Sequence, residues 1–297
     1  RGFSLRLECD DCHYVPQCIN CDVSLIYHKQ QNVLRCHYCG YSQKQDEPCK
    51  KCGSKMLRYT GYGTQKAEEE LNILFPNAKV LRLDADTTIS RYSYQEKFTS
   101  FANGTYDIII GTQMIAKGLD FPNVTLVGVI NADQSLMAED YRAFEKTFSM
   151  VTQVIGRCGR AEKKGKALIQ TFSPENEVLS WAAKQSYTDF AKQEISVRKM
   201  CLYPPFCDML CLTFSSEIEK EARISANKFL KELSEVFKEH LDIPIRVLGP
   251  AEATPFKIAG HYRIQLLVKC INTKKFRDIL KKVIEQSKIN PSVDFYF

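Results

Sequence analysis

The sequence CDDCHYVPQCINC at residues 9–21 places two C-x-x-C pairs close together near the start of the chain. Two further pairs follow, as CHYC at 36–39 and CKKC at 49–52. Two residues between cysteines form a turn in which both sulfurs can reach one tetrahedral metal at about 2.3 Å, whereas a disulfide across so short a loop is strained. The four pairs therefore predict two four-cysteine sites. Zinc is the metal that prefers tetrahedral sulfur without redox chemistry.

Two other chemistries compete for these eight cysteines. A disulfide framework is typical of secreted proteins, and the sequence shows no secretory signal. Iron–sulfur clusters use other ligand spacings. The later cysteines mostly lie in apolar surroundings, which predicts small core residues rather than ligands.

The composition excludes several classes of protein. The 297 residues, 44% hydrophobic and 26% charged, suffice for two or three domains, and no apolar run approaches the roughly 18 residues that span a bilayer. Eight thiolates and two Zn²⁺ ions bring the formal charge of +6 to about +2, so any argument for nucleic acid must be local. The chain begins Arg-Gly-Phe without a targeting segment, so we expect a portion of a longer, cytoplasmic protein.

The pattern of the chain predicts three regions. Residues 1–58 contain too few aliphatic side chains for a core, so metal binding would supply their folding energy, and the first few residues would belong to the next region. Residues 59–200 alternate amphipathic helices (64–75, 91–102, 137–156, 175–200) with apolar strands (80–84, 106–111, 124–130, 166–171). This alternation is typical of an α/β fold with a parallel sheet covered on both faces.

Residues 201–297 change to the order βαββαβ, in which helices cover one face of an antiparallel sheet, as in ferredoxin-like folds. The predicted helix at 217–239 has one apolar stripe. Its members are Ile218, Ala222, Ala226, Phe229, Leu230, Leu233, Val236 and Phe237.

Two polar segments of the α/β region carry the residues for chemistry. GTQMIAKGLDF at 111–121 follows a buried strand, at the sheet edge where α/β folds bind ligands. Thr112 is placed to hold a phosphate, while Gly118 and Asp120 turn the backbone toward a second ligand. In QVIGRCGR at 153–160, Arg157 and Arg160 have a helical spacing that suits two guanidinium groups binding a triphosphate.

These two segments resemble motifs V and VI of superfamily 2 helicases. With the cysteine array, the chain is similar to the bacterial PriA-type replication-restart helicases, the primosomal protein N′ family. Further segments carry the resemblance, in the family's order: GYGTQKAEEEL at 61–71, RLDADTT at 82–88, LYPPF at 202–206 and LGPAEATPFKIAGHYRIQLLVK at 248–269. Gln65 and Leu119 depart from the family pattern.

The resemblance implies a RecA-like second helicase lobe that carries an inserted two-zinc module and precedes a ferredoxin-like domain. It implies that ATP binds with Mg²⁺ in the full-length enzyme, where Arg157 and Arg160 act as arginine fingers and Arg160 contacts the γ-phosphate. Asp120 would lie near the ribose, beside Gly118, and Thr112 would contact the DNA backbone. No G-x-x-x-x-G-K-[S/T] loop occurs in the sequence, so we expect these 297 residues alone neither to hydrolyse ATP nor to unwind DNA.

The eight cysteines allow sequential, interleaved or nested pairing. The resemblance implies nesting, with Cys9, Cys12, Cys49 and Cys52 on one zinc ion and Cys18, Cys21, Cys36 and Cys39 on the other. Four thiolates leave no position for water, so both ions would be structural.

In the last region, the strand at 262–269 alternates apolar residues with a polar and basic face formed by Arg263, Gln265, Leu267 and Lys269. This face would receive a DNA backbone or the acidic tail of single-stranded-DNA-binding protein, both family roles, or it is only solvated. The partners implied are therefore branched and single-stranded DNA, that tail and primosome proteins, with no membrane.

Three functions remain open, the first of them implied by the resemblance. The first is the C-terminal part of an ATP-dependent 3′ to 5′ DNA helicase that restarts replication at stalled or repaired forks by primosome assembly. The second is a non-enzymatic zinc-ribbon adaptor for nucleic acid or protein, and the third is a C-x-x-C thiol oxidoreductase. Motifs V and VI favour the first over the second, and two zinc ions without a redox-active thiol would exclude the third.

Overall fold

The computed structural model describes residues 6–28, 31–45, 48–60, 63–83, 91–112, 123–156, 165–289 and 291–296. The chain divides into two compact units. One unit contains residues 61–197, and the other combines residues 5–60 with residues 198–297. The cysteine-rich region, called the cysteine module below (residues 6–60), therefore belongs to the same unit as the C-terminal region.

Five short strands form the cysteine module: β1 (Arg6–Cys9), β2 (Ile26–His28), β3 (Val33–Arg35), β4 (Ser42–Lys44) and β5 (Leu57–Thr60). β1 pairs antiparallel with β5, and β2, β3 and β4 form a three-stranded antiparallel sheet. The small core of the module mixes apolar side chains with cysteines. Its buried members are Leu7, Cys18, Cys21, Leu25, Tyr27, Leu34 and Cys36.

Ten elements follow between residues 64 and 201: α1 (Thr64–Leu74), β6 (Val80–Leu83), α2 (Arg91–Ala102), β7 (Ile108–Gly111), β8 (Leu126–Val129), α3 (Asp133–Leu136), α4 (Ala143–Ile155), β9 (Lys166–Ile169), α5 (Glu177–Ala183) and α6 (Tyr187–Cys201). β6 pairs with β7 and β8 pairs with β9, both in parallel. Each pair is joined through helices, so this unit contains two βαβ arrangements. The predicted mixed α/β class with parallel strands is confirmed.

Two predicted helices of this unit are wrong in extent. The helix expected over 137–156 begins only at Ala143, because Asp140 closes a turn in front of it by accepting the N–H of Arg142 at 2.9 Å. The helix expected over 175–200 is two helices, α5 and α6. The break lies at Gln185, whose φ of +53° is in the left-handed region and cannot continue a helix.

A compact aromatic and aliphatic cluster holds the second βαβ arrangement together. Phe148 of α4 and Phe190 of α6 stack with ring centroids 4.2 Å apart. Val151, Leu179 and Ala182 are buried beside them. This packing fixes α4, the helix that leads into the segment containing Arg157.

The C-terminal region contains β10 (Asp208–Ser216), α7 (Glu219–Lys238), β11 (Arg246–Ile258), β12 (His261–Cys270), α8 (Lys274–Ser287) and β13 (Ser292–Tyr296). We call residues 208–296 the α+β domain. Its four strands form one antiparallel sheet in the order β11-β12-β10-β13. The predicted βαββαβ order is confirmed, and the first strand of the domain lies between the third and the fourth.

The core of the α+β domain lies between its sheet and the two helices. The stripe of α7 is buried as predicted at Ala222, Ala226, Phe229, Leu233 and Phe237. Ile218 was expected in this stripe but is 56% exposed, because it precedes the first turn of α7 as its N-cap residue. In the part of the chain described, we find no helix with the length and hydropathy needed to cross a membrane.

Candidate metal centres and nucleic-acid interface

The four C-x-x-C pairs lie in turns of one common form. In each turn the N–H of the first cysteine donates to the carbonyl oxygen five residues later, at 2.7 to 3.0 Å. These bonds join Cys9 to Tyr14, Cys18 to Val23, Cys36 to Tyr41 and Cys49 to Ser54. Each bond closes a tight turn around both cysteines of a pair.

A second hydrogen bond distinguishes three of these turns from the fourth. In three of them the residue after the second cysteine donates its N–H back to the first cysteine: His13, Gly40 and Gly53, at 2.9, 3.0 and 2.7 Å. Their φ angles of +56°, +76° and +74° lie in the left-handed region, where glycine is favoured. In the turn of Cys18 and Cys21 the equivalent N–H, that of Asp22, donates to the carbonyl oxygen of Lys257 at 2.9 Å.

The structure groups the eight cysteines in the nested pairing. The outer cluster consists of Cys9, Cys12, Cys49 and Cys52, and the inner cluster of Cys18, Cys21, Cys36 and Cys39. Within each cluster the four sulfurs lie within 4.8 Å of one another. The sulfurs of Cys9 and Cys52, of Cys12 and Cys49, and of Cys18 and Cys39 are 3.5 Å apart.

These distances fit a tetrahedral zinc ion and exclude disulfides. Four sulfurs placed about 2.3 Å from a common centre are about 3.8 Å from one another, whereas bonded sulfurs are about 2.05 Å apart. All eight cysteines are free thiols in the structure. The clusters are therefore consistent with two structural zinc ions, each held by four cysteines.

The electrostatics of the inner cluster show why a cation suits it. The backbone N–H of Tyr41 lowers the pKa of Cys39 to about 7, whereas burial raises the pKa of Cys21 to about 12. Burial also raises the pKa of Cys18. Buried thiolates lack water, so a divalent cation is needed to stabilise four of them together.

A turn of the α+β domain contacts the inner cluster. The N–H of Ala259 donates to the Sγ of Cys21 at 3.2 Å, and the N–H of Gly260 donates to the carbonyl oxygen of Asn20 at 2.8 Å. Sequence reasoning missed this contact, because no local pattern connects positions 21 and 259.

The residues predicted to face the nucleotide, Gly118, Asp120, Arg157 and Arg160, lie outside the described residues. The structure does describe the elements that lead into their segments. β7 ends at Gly111, and the half-buried Thr112 follows directly at the carboxyl end of this parallel strand. α4 ends at Ile155, immediately before the segment of the two arginines.

On β12 the predicted alternation is present, with Ile264, Leu266 and Val268 buried. The opposite face is less open than predicted. Lys269 is only 7% exposed, and its Nζ donates to the carbonyl oxygen of Cys201 at 2.6 Å over the ring of Tyr203. The ammonium group of Lys269 therefore has partners within the chain, and a phosphate contact at this residue stays a prediction.

The other two polar residues of this face remain partly accessible. Arg263 is half-buried, and its Nη1 donates to the carbonyl oxygen of Pro255 at 3.0 Å. Gln265 is also half-buried, and its Oε1 accepts a weak bond from the thiol of Cys211 at 3.6 Å.

Asp133 is a buried carboxylate that sequence reasoning missed. It accepts the hydroxyl of Thr171 and the N–H of Phe172, both at 2.9 Å, and so joins the chain after β8 to the chain after β9. The N–H of Phe172 lowers the pKa of Asp133. The signal in the sequence was the polar NADQ at 131–134 directly after an apolar strand.

Comparison with known proteins covers both the module and the α+β domain. A family model described as the PriA DNA helicase Cys-rich region (CRR) domain matches residues 18–44, and one described as the Primosomal protein N C-terminal domain matches residues 199–294. The replication restart protein PriA of Bacillus subtilis is 40% identical over 288 residues, which are 97% of this chain and 35% of that protein. The chain matches the C-terminal part of PriA.

Two further PriA relatives agree with this match. The Synechocystis protein is 40% identical over 273 residues, 91% of this chain and 32% of that protein. The Borreliella burgdorferi protein is 36% identical over 300 residues, 100% of this chain and 44% of that protein. The chain therefore spans 32% to 44% of the length of these PriA proteins. The Cys-rich match at 18–44 contains all four cysteines of the inner cluster.

Proposed function

We propose that these residues are part of an ATP-dependent 3′ to 5′ DNA helicase that recognises stalled or repaired replication forks and restarts replication by primosome assembly. The observation that carries the proposal is the similarity, over 97% of the chain, to a protein named for replication restart. The order of the cysteine module, the α/β unit and the α+β domain supports it, because the comparisons match both ends of this arrangement.

The α/β unit is a RecA-like second helicase lobe in this proposal. Its parallel pairs and its βαβ connections support that assignment. Thr112 at the carboxyl end of β7 contacts the DNA backbone. Arg157 and Arg160 bind the ATP phosphates, and Gly118 and Asp120 border the nucleotide. ATP and Mg²⁺ supply the phosphoryl-transfer chemistry when the full-length enzyme binds them.

The two four-cysteine clusters hold the module together and perform no hydrolysis. When zinc is bound, each ion cross-links two of the four C-x-x-C turns, and four thiolates leave no position for a reacting water. The partly accessible Arg263 and Gln265 form the DNA or acidic-peptide contact in this proposal. The acidic tail of single-stranded-DNA-binding protein and the primosome proteins are its protein partners.

The first experiment tests the arginines in the full-length protein. Arg157→Ala and Arg160→Ala are compared with Arg246→Ala, a matched change at an exposed residue of β11. An arginine finger contributes about 10³-fold or more to kcat, so ATP turnover on forked DNA should fall by that factor in the first two variants only. Equal turnover in all three variants would refute the assignment and leave the zinc-ribbon adaptor.

The second experiment uses the 297-residue chain alone. Because its sequence lacks a phosphate-binding G-x-x-x-x-G-K-[S/T] loop, we expect no DNA-stimulated ATP turnover and no unwinding. ATP turnover that persists in Arg160→Ala would mean that the 297-residue chain has another nucleotide-binding site.

The third experiment measures how DNA affinity depends on salt. Removing one phosphate contact lowers the slope of log K against log salt by about one. We expect this reduction for Arg263→Ala and not for Arg246→Ala. An unchanged slope for Arg263→Ala would show that this face is only solvated.

A further inference from the structure

We propose that the hairpin turn at residues 257–260, which comprises the end of β11 and the two loop residues before β12, is a positioning element of the inner zinc site, so that the α+β domain completes the second coordination shell of a metal held by the module. The proposal goes beyond the helicase function and does not depend on it. It rests on the inner cluster and on contacts that lie within one compact unit.

Three hydrogen bonds carry the proposal. One ends on a ligand sulfur: Ala259 N–H donates to Cys21 Sγ at 3.2 Å. The other two flank it, since Gly260 N–H donates to Asn20 O at 2.8 Å and Asp22 N–H donates to Lys257 O at 2.9 Å. The turn thus bonds to three successive residues of the cysteine turn, 20, 21 and 22. Hydrogen bonds that neighbouring groups make to metal ligands orient those ligands and influence how tightly the metal is bound.

The turn of Cys18 and Cys21 uses this contact where the other three cysteine turns use their own backbone. His13, Gly40 and Gly53 each close their turns by a bond to the first cysteine. Asp22 occupies the same position, but its N–H is bonded to Lys257. The cysteine turn at 18–22 is therefore completed by a residue more than 200 positions away in the chain.

The turn itself is built for this approach. Ala259 and Gly260 are the two loop residues between β11 and β12, with φ angles of +49° and +88°. Hairpins with both loop residues at positive φ usually contain Asn-Gly or Asp-Gly, so alanine at the first position is unusual. Beside the turn, Ile258 packs against the buried core of the module.

The outer cluster provides an internal reference. The backbone bonds described above for its two turns lie within residues 9–14 and 49–54 of the module and do not involve the turn at 257–260. A change in the turn at 257–260 should therefore affect one zinc ion and leave the other as it was.

The first experiment displaces the turn and follows zinc release. Two glycines are inserted between Ala259 and Gly260, and the matched control has two glycines after Leu241, an 88% exposed residue in another loop of the same domain. Zinc release from the full-length protein is followed with an excess of a chromophoric chelator. N-ethylmaleimide labelling with mass spectrometry shows which cysteines become free. Loss of an outer-shell partner typically weakens metal binding about 10- to 100-fold.

We expect release from Cys18, Cys21, Cys36 and Cys39 to become at least about tenfold faster with the insertion at 259, with no change at the outer cluster. The insertion after Leu241 should change neither. Equal kinetics in all proteins, or acceleration of both clusters together, would overturn the proposal. Ile258→Ala, with the 54% exposed Ile271 changed to alanine as control, tests the same contact without altering the length of the turn.

The second experiment asks whether removal of zinc from the inner cluster also loosens the turn at 257–260. Hydrogen exchange of the Asp22, Ala259 and Gly260 amides is measured in the zinc-loaded and zinc-free protein. All three should exchange faster after zinc removal, whereas amides of the paired strands β10 and β12 should not change. Unchanged exchange at Ala259 and Gly260 would show that the turn does not respond to the metal and would refute the proposal.

Discussion

The cysteine module and the α+β domain belong to one unit but are held together by different forces. Among the described residues, the module buries a cluster of seven residues, three of which are cysteines. The α+β domain buries a cluster of 17 residues that draws mainly on β10, β12 and both helices. Strands of three or four residues cannot cover a core, whereas strands of nine to thirteen residues can. The module therefore depends on metal, and the domain depends on apolar burial.

The largest effect expected from this difference is the response to chelation. Removing both zinc ions should unfold the module, because binding of one structural zinc contributes about 10–16 kcal/mol in small zinc domains. The α+β domain should stay folded. Hydrogen exchange should show loss of protection in β2, β3 and β4, and retained protection in β10 and β12.

A control for chelation adds excess Zn²⁺ after EDTA, which should restore protection in the module. If the α+β domain lost its protection together with the module, the two regions would share one folding transition, and the comparison would fail.

The reverse experiment weakens the domain and leaves the metal in place. Phe229 is fully buried and packs against Phe214 with ring centroids 5.4 Å apart. Phe229→Ala should lower the free energy of unfolding of the domain by about 3–5 kcal/mol. Urea unfolding measures this change, and zinc content should remain at two ions per chain.

The matched control for Phe229→Ala is Ile224→Ala on the same helix. Ile224 is 55% exposed, so its loss should change the free energy of unfolding by about 0.5 kcal/mol or less. Equal effects of the two substitutions would contradict a domain held by its apolar core.

Within the domain, Lys269 tests whether a polar group on the β12 face stabilises the fold. Lys269→Met leaves the carbonyl oxygen of Cys201 without its donor, which should cost about 1–3 kcal/mol. Lys281→Met, at an exposed residue of α8, should change stability by about 0.5 kcal/mol or less. If Lys269→Met kept a normal urea midpoint but bound DNA more weakly, the result would support the phosphate contact predicted from the sequence.

How much the sequence could predict depends on how far apart in the chain the interacting residues lie. Cysteine turns are local, so the spacing of two residues suffices to place both sulfurs of a pair. Periodicity along β12 predicted which residues are buried, and the order of apolar segments predicted the βαββαβ domain. The environment of Lys269 could not be predicted, because its partners come from Cys201 and Tyr203, far away in the chain.

Two other features escaped prediction for physical reasons. The break between α5 and α6 lies at Gln185, a residue type without a preference for the left-handed region. The contact between Ala259 and Cys21 uses a backbone N–H, which every residue except proline possesses. Neither feature can be recognised from residue type or spacing, so both are seen only in the three-dimensional structure.

The smallest effect of chelation is expected at Cys270, a cysteine that is buried in the α+β domain and is not part of either cluster. Burial raises the pKa of Cys270 to about 12, and the residue is 3% exposed. Because the thiolate is the reactive form, Cys270 should remain unlabelled by N-ethylmaleimide at pH 8, with or without EDTA. The eight module cysteines should become labelled once EDTA removes zinc, whereas the buried Cys270 should not. Full denaturation provides the control, since all 13 cysteines should then react. Labelling of Cys270 at pH 8 at the rate of Cys39 would show that the domain opens when the module loses its metal, so that one folding event holds both regions together.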